Sequence, residues 1–133
     1  MATPQKTSAA LPRSFRRIRL ELAREPGHPE GSALNGYELI APLDNSGHID
    51  AEAWRAHRQA CRVVRFRTGE DDEIGHLVHR PGGNWAFHYD VEGTGEDESG
   101  YHFQKERFVV GEYVSITEDD KQRTFRVVSV EHI

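Results

Sequence analysis

Two runs rich in β-branched and aromatic residues, Glu73 to Arg80 and Trp85 to Val91, stand on either side of Pro81-Gly82-Gly83-Asn84. One proline and two adjacent glycines can continue neither run, so this segment predicts a hairpin turn. Side chains alternate between the two faces of a strand. Across an even-length turn, Ile74, His76 and Val78 share a face with Trp85, Phe87 and Tyr89. That face is apolar and rich in rings, so it is the expected core. Leu77 and His79 then share the outer face with Ala86, His88 and Asp90. A lone hairpin is marginal in water and needs further strands beside it.

The rest of the chain supplies them. Ser14 to Ala23 alternates, with Ile18, Leu20 and Leu22 on one parity and Phe15, Arg17, Arg19 and Glu21 on the other. This is the pattern of a half-buried strand. Pro26 to Ser32 holds two prolines and two glycines and reads as a loop. Tyr37 to Ala41 is a short strand stopped by Pro42, and Arg62 to Arg67 is another strand. Between them Ile49 to Ala60 predicts the one helix, with Asp50 at the N-cap and Ile49 and Trp54 at the spacing of a hydrophobic staple. After Val91, Gly93 to Gly100 reads as an acidic loop and Tyr101 to Gln104 as a short edge strand. Glu112 to Thr117 and Thr124 to Val130 predict a second hairpin about Glu118-Asp119-Asp120-Lys121. In its last strand Phe125 and Val127 oppose Val128 and Val130, which predicts burial on both faces.

Many short strands joined locally, with one short helix, give a mainly β (α+β) fold class. The expected architecture is a small antiparallel, partly open β-barrel or a curled sheet. The 133 residues suffice for one domain, assigned to 14–133, and the polar residues 1–13 read as a disordered lead-in. No apolar run approaches the length that spans a bilayer. Cys61 is the one cysteine, which excludes an internal disulfide, and without an export signal the expected compartment is the cytoplasm. The net charge of −5 argues against a dedicated nucleic-acid binder. Charge is nonetheless segregated: Arg55 to Arg67 contains five arginines and no acid, whereas Glu70 to Glu73 is wholly acidic.

Three constellations carry possible chemistry. His79, His88 and Asp90, on one face of the expected hairpin, offer two imidazoles and a carboxylate to a divalent transition metal such as Zn²⁺, Fe²⁺ or Ni²⁺, with His102 as a further ligand. Against this stands the plain reading of polar residues on the solvent side of an antiparallel sheet. Phe15, Arg17 and Arg19, on the outer parity of the first strand, resemble the aromatic-plus-basic surfaces that hold single-stranded nucleic acid. Cys61 lies four residues after His57, but a lone cysteine at a helix end reads as a small buried hydrophobe. His76 reads as a core histidine with one hydrogen-bonded nitrogen. No nucleotide-binding, zinc-protease, hydrolase or redox motif occurs.

The stretches Leu22-Ala23-Arg24-Glu25-Pro26-Gly27-His28-Pro29-Glu30-Gly31-Ser32, Gly75 to Asp90 and Gly111-Glu112-Tyr113-Val114-Ser115-Ile116 resemble a family of small proteobacterial proteins without an established activity. The resemblance implies a bacterial, stand-alone domain. With no motif that demands catalysis, the first expectation is a non-catalytic binding module. It would meet a protein partner through the loop His28 to Ser32 and the face carrying His79, His88 and Arg80, as a monomer or a homodimer. The alternatives are a metal-dependent protein using His79, His88 and Asp90, and single-stranded nucleic-acid binding through Phe15, Arg17 and Arg19.

Overall fold

A computed structural model describes residues 11–81, 84–90, 98–100 and 103–133. The strands are β1 (Phe15–Leu22), β2 (Ser32–Pro42), β3 (Arg62–Phe66), β4 (Glu73–His79), β5 (Trp85–Tyr89), β6 (Glu98–Gly100), β7 (Tyr113–Glu118) and β8 (Lys121–His132). Helix α1 (Ala51–Ala56) and a 3₁₀ turn (Arg58–Ala60) lie between β2 and β3. Each strand pairs antiparallel with its successor, and β8 returns to β1, so the curled sheet closes into a barrel. Among the described residues β6 meets β7 through the single pair Ser99 and Thr117, so the closure is thin there. The mainly β, antiparallel architecture with one short helix is the one the alternation predicts.

Ring-bearing side chains fill the interior. Tyr37 lies 5.1 Å from Phe87 and 5.2 Å from Phe125, centroid to centroid. Phe103 continues the cluster, 5.7 Å from Phe87 and 5.1 Å from Phe108. Ile18, Leu20, Leu39, Leu77, Val114 and Ile116 complete it. An eight-stranded barrel is just wide enough for its side chains to fill, and among the described residues these side chains pack against one another inside it. Asp50 caps α1, its carboxylate accepting from the N–H groups of Glu52 and Ala53, as expected. The helix is shorter than Ile49 to Ala60, because the chain tightens into the 3₁₀ turn after His57.

Three irregularities alter the expected faces. His79 pairs with Trp85, so the β4–β5 connection is the odd-length segment 80–84. Its residues Gly82 and Gly83, the segment 91–97, His102 and the lead-in 1–10 lie outside the described residues. The odd count inverts β4. Gly75, Leu77 and His79 oppose Tyr89, Phe87 and Trp85, whereas His76 and Val78 oppose His88 and Ala86. Trp85, Phe87 and Tyr89 point inward as expected, but Ile74, His76 and Val78 do not join them. A bulge in the β1–β8 ladder, where pairing passes from Ser129 to Val127, skips Val128. That bulge lets Val127 and Val130, of opposite parity, face the same partners Leu20 and Ile18. Finally, β2 begins at Ser32 rather than Tyr37, because Leu22 pairs with Ser32 across a second bulge. Gly36 makes that approach possible, since a Cβ there would lie 2.0 Å from the Leu20 carbonyl oxygen.

The second hairpin turns on two residues. Glu118 pairs with Lys121, and Asp119 and Asp120 have φ of 50° and 64°. Two successive left-handed residues make a type I′ turn, whose twist matches that of paired strands. Phe103 belongs to a turn rather than to an edge strand. Among the described residues no helix is long and apolar enough to cross a membrane.

Candidate functional site: the outer face of β3 to β5

With β4 inverted, the expected metal set does not assemble. His79 points inward and stacks on Trp85, with centroids 4.1 Å apart and planes 19° from parallel. His88 lies on the opposite face, across from His76. Among the described residues no group of three His, Cys, Asp or Glu side chains converges as metal ligands would. The even-length turn assumed in the sequence is the source of the error: one residue of parity moves His79 through the sheet.

The same inversion brings a different group together. His76 emerges on the outer face between Arg62 of β3 and Asp90 at the end of β5. Arg62 Nη1 lies 3.2 Å from His76 Nε2, and Arg62 Nη2 lies 3.3 Å from Asp90 Oδ2. His76 Nδ1 lies 3.2 Å from Asp90 Oδ1. A guanidinium only donates, so Nε2 accepts and the imidazole proton resides on Nδ1, where it is donated to Asp90. Each of the three side chains thus holds the other two. Asp90 is itself fixed through its N–H, which donates to the Ile74 carbonyl. Ile74, 44% exposed, flanks the group on the same face. His76 is therefore a surface residue with both nitrogens engaged, not the core histidine that the sequence suggests.

At the start of β3 this face adjoins the rim formed by α1 and the 3₁₀ turn. Trp54 donates its indole N–H to the Leu77 carbonyl at 2.8 Å. Its ring meets His79 and Trp85 edge-on at 5.8 and 5.5 Å. The Arg58 guanidinium covers the outer side of the Trp54 ring at 5.1 Å. Arg80 follows His79, exposed, with its N–H closing the β4–β5 loop onto the Asn84 carbonyl. Cys61, beneath this rim, is fully buried, and its thiol donates to the His57 carbonyl rather than meeting the imidazole. Burial pushes that thiol up to about 12, which removes it as a nucleophile at neutral pH.

The first strand does not form the expected stacking surface. Phe15, 2% exposed, turns into the core and meets the His57 ring edge-on at 5.5 Å. Arg19 donates to Glu21, lies 3.5 Å from Glu38 and covers the Phe66 ring at 4.4 Å. Only Arg17 remains exposed as expected. A base has no aromatic face to stack on there. His28 closes a tight turn in which Glu25 and His28 exchange backbone hydrogen bonds about Gly27, at φ 91°. Its Nδ1 lies 3.5 Å from Glu25 Oε2.

Sequence reasoning missed one polar group altogether. At the barrel end opposite α1, Glu118 is 4% exposed and accepts from the Tyr37 hydroxyl, from Arg123 at 3.2 Å and from Arg67 at 3.0 Å. Arg123 also donates to Glu25, and this pairing holds the Glu25 carboxyl below its usual range and raises the Arg123 guanidinium. Charges and hydrogen bonds are mutually satisfied, as a buried ionic group requires. No local motif marks these residues, because Glu25 and Arg123 are 98 positions apart.

No family model matches the chain, and no curated protein and no solved structure is similar enough to match it.

Proposed function

We propose that this protein is a non-catalytic binding module that meets a protein partner through the outer face of β3 to β5. The observation that carries this reading is the Arg62–His76–Asp90 group. It is a set of polar side chains ordered by one another at the surface, beside an exposed isoleucine. Groups held in place before contact lose less conformational freedom on binding. The core supports the same reading, because among the described residues buried rings pack together where a wider barrel carries a small ligand. Cys61, the residue best suited to covalent catalysis, is buried and protonated.

The test is site-specific photo-crosslinking of the full chain in extract of the cells that express it. A photoreactive residue at Ile74 is expected to give a discrete protein adduct that His76→Ala abolishes. The same residue at Asp120, on the β7–β8 turn, is the control. Equal labelling from both positions, or no adduct from Ile74, overturns the reading.

A further inference from the structure

We propose that the groove on the outside of the barrel, across β7, β8, β1 and the start of β2, binds an acidic sugar, a uronate, free or within a polysaccharide. The site lies on other strands than the Arg62–His76–Asp90 group and does not rest on the role given to that face.

Two bulges make the groove. Between Glu21 and Leu22 the β1–β2 ladder jumps from Gly36 to Ser32, and between Arg19 and Leu20 the β1–β8 ladder skips Val128. Both faults therefore fall between Arg19 and Leu22, one on each side of β1. Bulges bend a strand and re-aim its side chains, and they gather beside functional sites. Ala33 and Val128, which leave the ladders, line a concavity of about 570 Å³ together with Glu21, Arg24, Glu30, Ser32, Tyr113 and Arg126. That volume suits a small molecule.

Tyr113, Arg126 and Glu21 stand opposite one another in one row of the ladder, from β7 through β8 to β1. Tyr113 is 57% exposed, so its ring is open to a ligand. Glu21, the acid across from Arg126, is taken by Arg19, whose Nε donates to Oε2 at 2.8 Å. Among the described residues neither Arg24 nor Arg126 forms an ion pair, and Glu21 Oε1 accepts no hydrogen bond. Ser32 Oγ accepts from the Leu34 N–H and from the Asn35 amide, so its proton is what it offers a ligand.

These groups select the ligand. The two guanidiniums call for an anion, and the planar fork of an arginine matches a carboxylate. Glu21 and Glu30 repel a second negative charge but accept from hydroxyls, which disfavours a polyphosphate or a nucleic-acid strand. The Ser32 proton suits a further ligand oxygen. An exposed aromatic ring receives the C–H face of a sugar. A uronate offers the carboxylate, the hydroxyls and the C–H face in one molecule.

Amide NMR titration of the isotopically labelled full chain tests this with galacturonate, galactose, acetate and trigalacturonate. Galacturonate is expected to shift the amides of Glu21, Ser32, Tyr113 and Arg126 saturably. Galactose and acetate each carry part of the recognised chemistry and are expected to bind at least about tenfold more weakly. Arg126→Gln and Tyr113→Ser each weaken galacturonate by about tenfold or more and leave the melting temperature unchanged, because both side chains are exposed. Arg17→Gln, on β1 outside the groove, binds as the parent does. Trigalacturonate binding more tightly than galacturonate assigns the polysaccharide, and equal affinity assigns the free sugar; both support the site. Galactose or acetate binding as well as galacturonate, unshifted groove amides, or full affinity in the Arg126→Gln, Tyr113→Ser double variant overturns the proposal. The Ile74 adduct does not involve these residues, so the two readings fail separately.

Discussion

The two ends of this barrel treat charge in opposite ways. At one end Glu25, Tyr37, Arg67, Glu118 and Arg123 are drawn from β1, β2, β3, β7 and β8 flanks into a closed, neutralised group. At the other, the exposed Arg55 of α1 and Arg58 of the 3₁₀ turn form no ion pair among the described residues. The first arrangement ties five chain segments together and leaves its charges nothing to do outside the molecule. The second contributes little to cohesion and leaves its charges available. Burial is what separates them: a buried cation must be paired, whereas an exposed one is solvated at little cost.

The contrast can be broken most sharply at Glu118. Glu118→Ala leaves two partly buried guanidiniums and the Tyr37 hydroxyl without their shared acceptor. It is expected to destabilise by about 3 kcal/mol, read from urea unfolding, because removing one partner strands the rest. A loss within experimental scatter would make that end no more cohesive than the other. Tyr37→Phe removes only one hydrogen bond to the same carboxylate, and about 1–2 kcal/mol is expected. Arg58→Ala at the opposite end is expected to cost no more than about 0.5–1 kcal/mol, since an exposed cation–π contact is worth that much.

Acid and base sharpen the comparison further. The Glu25 carboxyl is held low by the hydrogen bond from Arg123, so its contribution to stability is present above about pH 4.5 and is lost as pH falls through its folded value. Glu106 behaves in the opposite sense. Its carboxylate accepts from the Ser115 N–H, but burial pushes it up to about 7. Its contribution is complete below about pH 4.5 and is lost as pH rises through 7. Glu106→Gln keeps the acceptor and removes the titration. Thermal melting between pH 5 and 8 is expected to flatten in this variant, by a difference on the order of 1 kcal/mol at the alkaline end once solvent screening is allowed for.

Alternation made the fold legible. Ile18, Leu20 and Leu22 announce an inward face, and Asp50 and Trp54 announce a helix, because both signals are local. The facing of β4 was not legible. Its two parities, Ile74 with Val78 and Leu77 with its neighbours, are both apolar enough to be core, so only the number of residues leaving the ladder between His79 and Trp85 decides. The candidate site inherited that ambiguity: Asp90 and His88 are outward as read, His79 is not, and His76 takes its place. Phe15 defeated the alternation rule for a related reason. It stands at a strand terminus, where the neighbouring His57 covers a face that mid-strand would meet solvent.

Among the described residues the seam between β6 and β7 is the single pair Ser99 and Thr117, which makes the ring a clasp rather than a hoop. Parting it unrolls the molecule into a meander with two bare margins. Those margins can re-close on the same chain or on another, so strand exchange between copies at high concentration should begin there. In native-state hydrogen–deuterium exchange, the Thr117 amide should report that opening before the amides of the β1–β2 ladder do.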